Sequence, residues 1–209
     1  PDAVNRLHMM WTTKKLDLLE GGIESILEVP DAVRLNVIQT RQREALRAGR
    51  MIVVPGLGAD LAALEYPIGG LDFETMQRAI PPDEGLWPWA QVTAQVSYHE
   101  QAADGSVRHV EWLADEPGDP REPLARAMID ACRDARVILV YHQPFESTRI
   151  KELAEALPHL SDELLDIRGR LLDLKKIVMD HVYHPDFEGS FSLKTVLPAL
   201  VPDLGYEDL

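Results

Sequence analysis

The sequence predicts an α/β fold: a mixed sheet with three early antiparallel strands and later parallel ones, flanked by helices and preceded by a helical extension. Three observations lead there. QVTAQVSYHE and VRHVEWLA lie on either side of an Asp104–Gly105 turn, the first with clean alternation, the pattern of a β-hairpin. RVILVYH is apolar on both faces, as a central strand covered on two sides is. Between them, DPREPLARAMID carries a helix-start signal, so helices and strands alternate through the second half of the chain.

Residues 1–65 read as short helical pieces, TTKKLDLLEGG, LNVIQTRQREALRAGR and ADLAALEY, cut by Gly21, Gly22, Pro30 and the Pro55 to Gly58 stretch. They predict a helical extension or the tail of a preceding domain, with residues 66–209 as the main domain. YPIGGLDFET is the first strand, and Gly69 and Gly70 point to close backbone packing or a bulge. AIPPDEGLWPWA is a loop, after which Val92, Ala94, Val96 and Tyr98 share one strand face.

The first helix of the main domain takes Asp119 as N-cap, Pro120 at its first position and Glu122 three residues after the cap. Leu124, Met128, Ile129 and Cys132 form its inward stripe. A second helix starts near Pro144 and turns Ile150, Leu153, Ala154 and Leu157 inward. RLLDL, residues 170–174, is a short last strand, followed by a helix in LKKIVMDHV, a loop at HPDFEGSF and a final helix in SLKTVLPAL.

At 209 residues, the chain suffices for one domain with a real core plus an extension, and falls short of two full domains. A composition of 45% hydrophobic and 27% charged residues is that of a folded, soluble protein. The longest apolar run, VILVY, is far below the roughly 20 residues that span a bilayer, and the N-terminus has no charged-then-apolar leader. With Cys132 as its one cysteine, the chain forms no internal disulfide, which fits a reducing compartment; cytoplasmic localisation without a membrane partner is the expectation. The chain begins at Pro1 rather than Met, so a segment of a longer polypeptide is expected.

The net charge of -14 argues against coating nucleic acid through bulk electrostatics. It leaves room for an enzyme acting on nucleic acid, because bound divalent cations invert the field of an acidic site.

Such a site is suggested by LDFET. Side chains two apart on a strand share a side, so Asp72 and Glu74 project together from a face expected to be buried or half-buried, opposite Leu71 and Phe73. Two carboxylates there repel and resist desolvation unless a cation joins them, and Mg²⁺ suits one or two carboxylates plus water and phosphate oxygens. The spacing equally fits a strand with one solvated face. Glu146 is a further acid, in the first turn of a helix that follows the central strand; it is either an ordinary helix-start acid or a group approaching the same sheet end.

LDFET, VYHQPFE, RLLDL and GSFSLKTVLPAL together resemble the DnaQ-like, or DEDD, exonuclease superfamily of the ribonuclease H-like fold. The closest resemblance is to the uncharacterised bacterial family called domain of unknown function 2779, which often stands behind a RecB-like or Cas4-like nuclease region; it runs from about Tyr66 to the C-terminus. The resemblance implies a 3'-5' exonuclease acting on DNA or RNA by two-metal-ion hydrolysis, with two Mg²⁺ (or Mn²⁺) ions in the complete site. Asp72, Glu74 and Glu146 would be its catalytic metal ligands. Thr75, beside the nucleotide end, His142 and Lys194 would contact the nucleic-acid 3' end. His142 replaces the superfamily's usual Asn, and Glu146 its commoner Asp.

The superfamily's last motif, a His or Tyr four residues before an Asp, does not appear before GYEDL, so a domain truncated ahead of that motif is expected, lacking a ligand and the general base. The alternative function is a non-catalytic nucleic-acid-binding or docking module that keeps the fold beside a RecB-like nuclease in the same parent chain.

Asp173 reads as a helix cap or a group supporting the ligands. Trp87 and Trp89 either cap a core or stack on an unpaired base. Ser190 and Ser192 read as caps of the last helix, and His181, His184 and Asp186 lack the partners of a zinc site. GLGAD lacks the strand and glycines of a nucleotide loop.

Overall fold

A computed structural model describes residues 2–80, 86–115 and 118–204 of the chain. In chain order the elements are α1 (Thr12–Glu20), α2 (Val37–Ala48), β1 (Ile52–Val53), α3 (Leu57–Ala62), β2 (Ile68–Met76), β3 (Val92–Gln101) and β4 (Val107–Leu113). They continue with α4 (Arg121–Cys132), β5 (Val137–Val140), α5 (Gln143–Ala156), α6 (Ser161–Gly169), β6 (Leu171–Asp173), α7 (Leu174–His181), β7 (Val182–Tyr183) and α8 (Leu193–Leu200). They divide into two compact units, one of residues 61–174 and one joining 1–60 with 175–209.

The first unit is built on a five-stranded mixed sheet in the order β4-β3-β2-β5-β6. β4, β3 and β2 run antiparallel, and β5 and β6 add in parallel. The hairpin turn forms where Asp104 and Gly105 lie: the Asp104 carboxylate accepts from the Ser106 amide at 2.9 Å, and Gly105 takes a positive φ of 84°.

Leu71 and Phe73 on β2 join Val96, Tyr98, Ile138, Val140 and Leu171 on one face of the sheet. Helices α4, α5 and α6 bury Leu124, Met128, Ile150, Leu153, Leu164 and Ile167 in the same cluster. A fully buried side chain of this kind contributes about 1.5–3 kcal/mol. Gly69 serves this packing directly, because a Cβ there would come within 2.7 Å of the Tyr98 ring.

Four sequence expectations are corrected. The β3 alternation does not run cleanly through Ala94, because the ladder shifts between Glu74 and Thr75: Glu74 pairs with Gln95 but Thr75 with Thr93, leaving Ala94 as an extra residue. Thr93 is thereby buried while Ala94 is only half-buried. Helix α6 occupies a stretch assigned to no element, and residues 1–65 include the short strand β1. Helix α4 begins at Arg121 with Pro120, not Asp119, at its N-cap position, although the Asp119 carboxylate accepts from the Arg121 amide at 3.0 Å.

In the second unit β1 pairs antiparallel with β7. Tyr183, Phe187 and Phe191 pack edge to face beneath α2 and α8 residues Ala45 and Val196. A separate cluster gathers Val4, Leu7, Leu18, Ile26 and Val29. Ser192 stands at the start of α8 with its hydroxyl on Thr195 at 2.9 Å rather than on a backbone amide, so the expected Ser192 side-chain cap is absent. Among the described residues no helix is long and apolar enough to cross a membrane.

Candidate functional site

The site develops on the sheet face that α4, α5 and α6 leave uncovered. β2 turns Asp72 and Glu74 to that face, opposite Ser97 and Gln95 of β3. Both acids are exposed, so of the two readings of the spacing the strand with one solvated face holds and the buried or half-buried face does not. The helices of this unit all pack on the Leu71 and Phe73 side, so nothing in the unit's core has to accommodate the charges.

Asp72 stands level with the end of β5. Gly70 pairs with Leu139, so Tyr141, the first residue beyond Val140, is level with Asp72. From there the chain turns through His142, which adopts the left-handed region at φ 87°, and enters α5. This turn delivers Glu146 into the first turn and a half of α5, on the inward face with Arg149, Ile150 and Leu153.

Glu146 is 3% exposed, and its Oε2 has no hydrogen-bond partner. Burial pushes its carboxyl up to about 7; its own backbone amide opposes the rise, and the charges of Asp72 and Asp173 add to it. The Asp72 carboxyl is also raised, first by desolvation and against a hydrogen bond from the Phe73 amide. Although Asp72 offers surface to solvent, the neighbouring protein atoms displace enough water to disfavour its charge.

Asp173, at the end of β6, completes the group. Its Oδ1 accepts from the His142 amide and its Oδ2 from the Gln143 amide, each at 3.2 Å. Gln143 in turn donates to the Leu171 carbonyl at 3.1 Å. The aspartate caps a helix whose first residue, Gln143, lies thirty positions earlier in sequence, and fixes where Glu146 begins its approach.

The structure thus brings Asp72, Glu146 and Asp173 into one electrostatic neighbourhood. Glu74 sits two residues beyond Asp72 on the same strand, and Thr75 is half-buried against Thr93 beyond the bulge. His142 exposes its ring and uses its backbone amide on Asp173. Lys194 belongs to the other unit, in the first turn of α8. Among the described residues, no three His, Cys, Asp or Glu side chains gather closely enough to hold a metal ion together. His181 instead pairs with Asp60 at 2.7 Å, and His184 accepts from the Asp186 amide. The GYEDL terminus lies outside the described residues, as do Pro81 to Gly85 of the tryptophan loop and Glu116 and Pro117 ahead of α4.

A separate cleft of about 580 Å³, which none of these acids lines, is bounded by Trp87, Trp89, Gln77, Arg121, Arg149 and Glu152 among others. Arg149 was not singled out from the sequence, yet a signal was legible: it falls three residues after Glu146, on an inward helix face that otherwise carries Ile150 and Leu153.

The family model described as Domain of unknown function (DUF2779) matches residues 70–192, a span that contains Asp72, Glu74, Glu146 and Asp173. No curated protein and no solved structure matches the chain.

Proposed function

The chain belongs to the DUF2779 family, and we propose that it is a metal-dependent phosphodiesterase of the DnaQ-like type, removing nucleotides from the 3' end of DNA or RNA. The observation that carries this reading is Glu146: a carboxylate held out of water with one oxygen unpartnered, in the field of Asp72 and Asp173. Such an arrangement is costly without a cation and favourable with one. The strand order β4-β3-β2-β5-β6, antiparallel and then parallel, supports a ribonuclease H-like reading of the fold.

The residues fit Mg²⁺ or Mn²⁺ held through Asp72 and Glu146, because Mg²⁺ commonly takes one or two carboxylates and leaves its other positions to water and substrate phosphate. Glu74 is the further ligand for the second ion of a complete site. A divalent ion there supplies an activated water and neutralises charge at the phosphate. The chain does the rest. β2 fixes the direction of Asp72, Asp173 anchors the start of α5, and the buried Glu146 carboxyl gives up its proton when a cation binds.

The test incubates the chain with 3'-labelled oligonucleotides with and without Mg²⁺. Metal-dependent shortening, abolished in Asp72→Asn, is expected. Absence of both shortening and Mn²⁺ binding would overturn the reading.

A second reading is favoured by the lack of a three-group cluster among the described residues: a non-catalytic nucleic-acid-binding or docking module beside a RecB-like nuclease in the same parent chain. Oligonucleotide binding that neither needs Mg²⁺ nor leads to shortening selects it.

A further inference from the structure

We propose that the cleft between Trp87, Trp89 and Arg149 is a binding site for an unpaired nucleobase, so that the substrate is single-stranded nucleic acid. This deepens the proposed function and rests on it for the identity of the ligand.

Both tryptophans face solvent, Trp87 at 65% and Trp89 at 63% exposure, although burying such rings is among the largest gains a fold can make. Trp89 also holds a left-handed backbone, φ 64°, which a bulky residue rarely adopts and which clusters at ligand-binding positions. The conformation is fixed from both sides. The Trp89 amide donates to the Arg78 carbonyl at 2.8 Å, the Ala90 amide to the Trp87 carbonyl at 3.0 Å, and the Gln77 side chain to the Trp89 carbonyl at 3.2 Å.

A second, independent observation is Arg149. Its side chain is 9% exposed, it lines the cleft, and its Nε has no partner. Its terminal nitrogens are already committed, one to Glu152 at 2.9 Å and the other to the Gln91 carbonyl at 3.4 Å. A buried guanidinium N–H without an acceptor is unfavourable unless a ligand supplies one.

Charge selects the class of ligand. Arg121 and Arg149 are balanced in the cleft wall by Glu152 and Glu155, and Arg121 is further bound to Asp119. Among the described lining residues there is no surplus of positive charge for a run of phosphates, in keeping with a chain charge of -14. A balanced, aromatic-walled cleft takes a neutral planar ring that carries acceptors, and 580 Å³ lies within the range of small-molecule sites. A base paired within a duplex has no free face to offer; an unpaired one does. Arg149 lies three residues beyond Glu146, a rise of about 4.5 Å along the helix, and Gln77 three beyond Glu74, so a base in the cleft belongs to the strand being processed.

The test measures binding of a labelled single-stranded oligothymidylate and of a blunt hairpin duplex to the full chain, with calcium replacing magnesium. The single strand binds about tenfold or more tightly, quenching tryptophan fluorescence. Trp87→Ala and Trp89→Ala each weaken it about tenfold while leaving duplex binding and the circular dichroism spectrum unchanged. Equal affinity for the two probes, or single-strand binding unchanged in the double tryptophan variant, overturns the inference even if the parent chain shortens oligonucleotides. Tryptophan-dependent binding by a chain that neither shortens oligonucleotides in Mg²⁺ nor binds Mn²⁺ sustains the inference and removes the catalytic reading.

Discussion

The carboxylate of Asp173 accepts the backbone amide of His142 at 3.2 Å, tying the last strand of the sheet to the turn that opens α5. With its second oxygen on the Gln143 amide, one side chain satisfies two of the amide groups that a helix start leaves without internal partners.

Removing that side chain should loosen α5 where Glu146 begins. Asp173→Ala is expected to cost about 1–2 kcal/mol in chemical denaturation, and Asp173→Asn, which keeps one acceptor oxygen, less. Both should also lower the Glu146 carboxyl from about 7, because the charge of Asp173 contributes to raising it. Carbon-13 NMR titration of the glutamate carboxyls reads this directly.

Glu146 should leave its mark on stability against pH. Its folded value, about 7, exceeds its ordinary 4.5, so between those values the folded state holds more protons than the unfolded one. Its contribution is fully present below about 4.5 and is lost as pH rises through about 7. Glu146→Gln removes the effect. The variant should therefore gain on the parent by a few degrees of Tm between pH 4.5 and pH 8, and added Mg²⁺ or Mn²⁺ should stabilise the parent at pH 8 and not the variant. Parallel Tm profiles would contradict the assignment.

Gly69 and Gly70 should respond differently to one methyl group. A Cβ at Gly69 meets the Tyr98 ring at 2.7 Å, whereas at Gly70 the nearest atom is 4.0 Å away. Gly69→Ala should cost about 1–3 kcal/mol by overpacking, and Gly70→Ala should be close to neutral in urea denaturation.

The buried Glu100 depends on Arg108 and Tyr98. Burial pushes its carboxyl up, but hydrogen bonds from Arg108 at 2.8 Å and Tyr98 at 2.7 Å outweigh it and hold the carboxyl below its usual value. Its stabilisation is therefore present above pH 4.5 and falls away in acid. Arg108→Met should cost about 1–3 kcal/mol at neutral pH and less in acid, once Glu100 is protonated; Tm measured at neutral and acidic pH tests this.

What the sequence disclosed and what it hid follow physical lines. Leu71 and Phe73 alternate with Asp72 and Glu74, so the two faces of β2 could be read; how wet the acid face is could not, since that depends on which side the helices choose. The Asp104–Gly105 turn and the apolar β5 carry local signals that survive folding. Strands β1 and β7 have two residues each, too few for any periodicity, and exist only through each other. Helix α6 was legible in principle: Leu160, Leu164 and Ile167 recur at helical spacing. The approach of Glu146 to Asp72 needed the β2–β5 register, which no single segment encodes.

The insertion at Ala94 works as a phase changer in the hairpin. Side chains alternate with period two, so one additional residue reverses the parity of everything before it in β3. Deleting Ala94 would restore an even ladder in which Thr93 still stands opposite Thr75, on the side of Leu71 and Phe73. Ala94, which pairs with nothing on β2, thus lets the order of residues change parity while the ladder keeps its two faces.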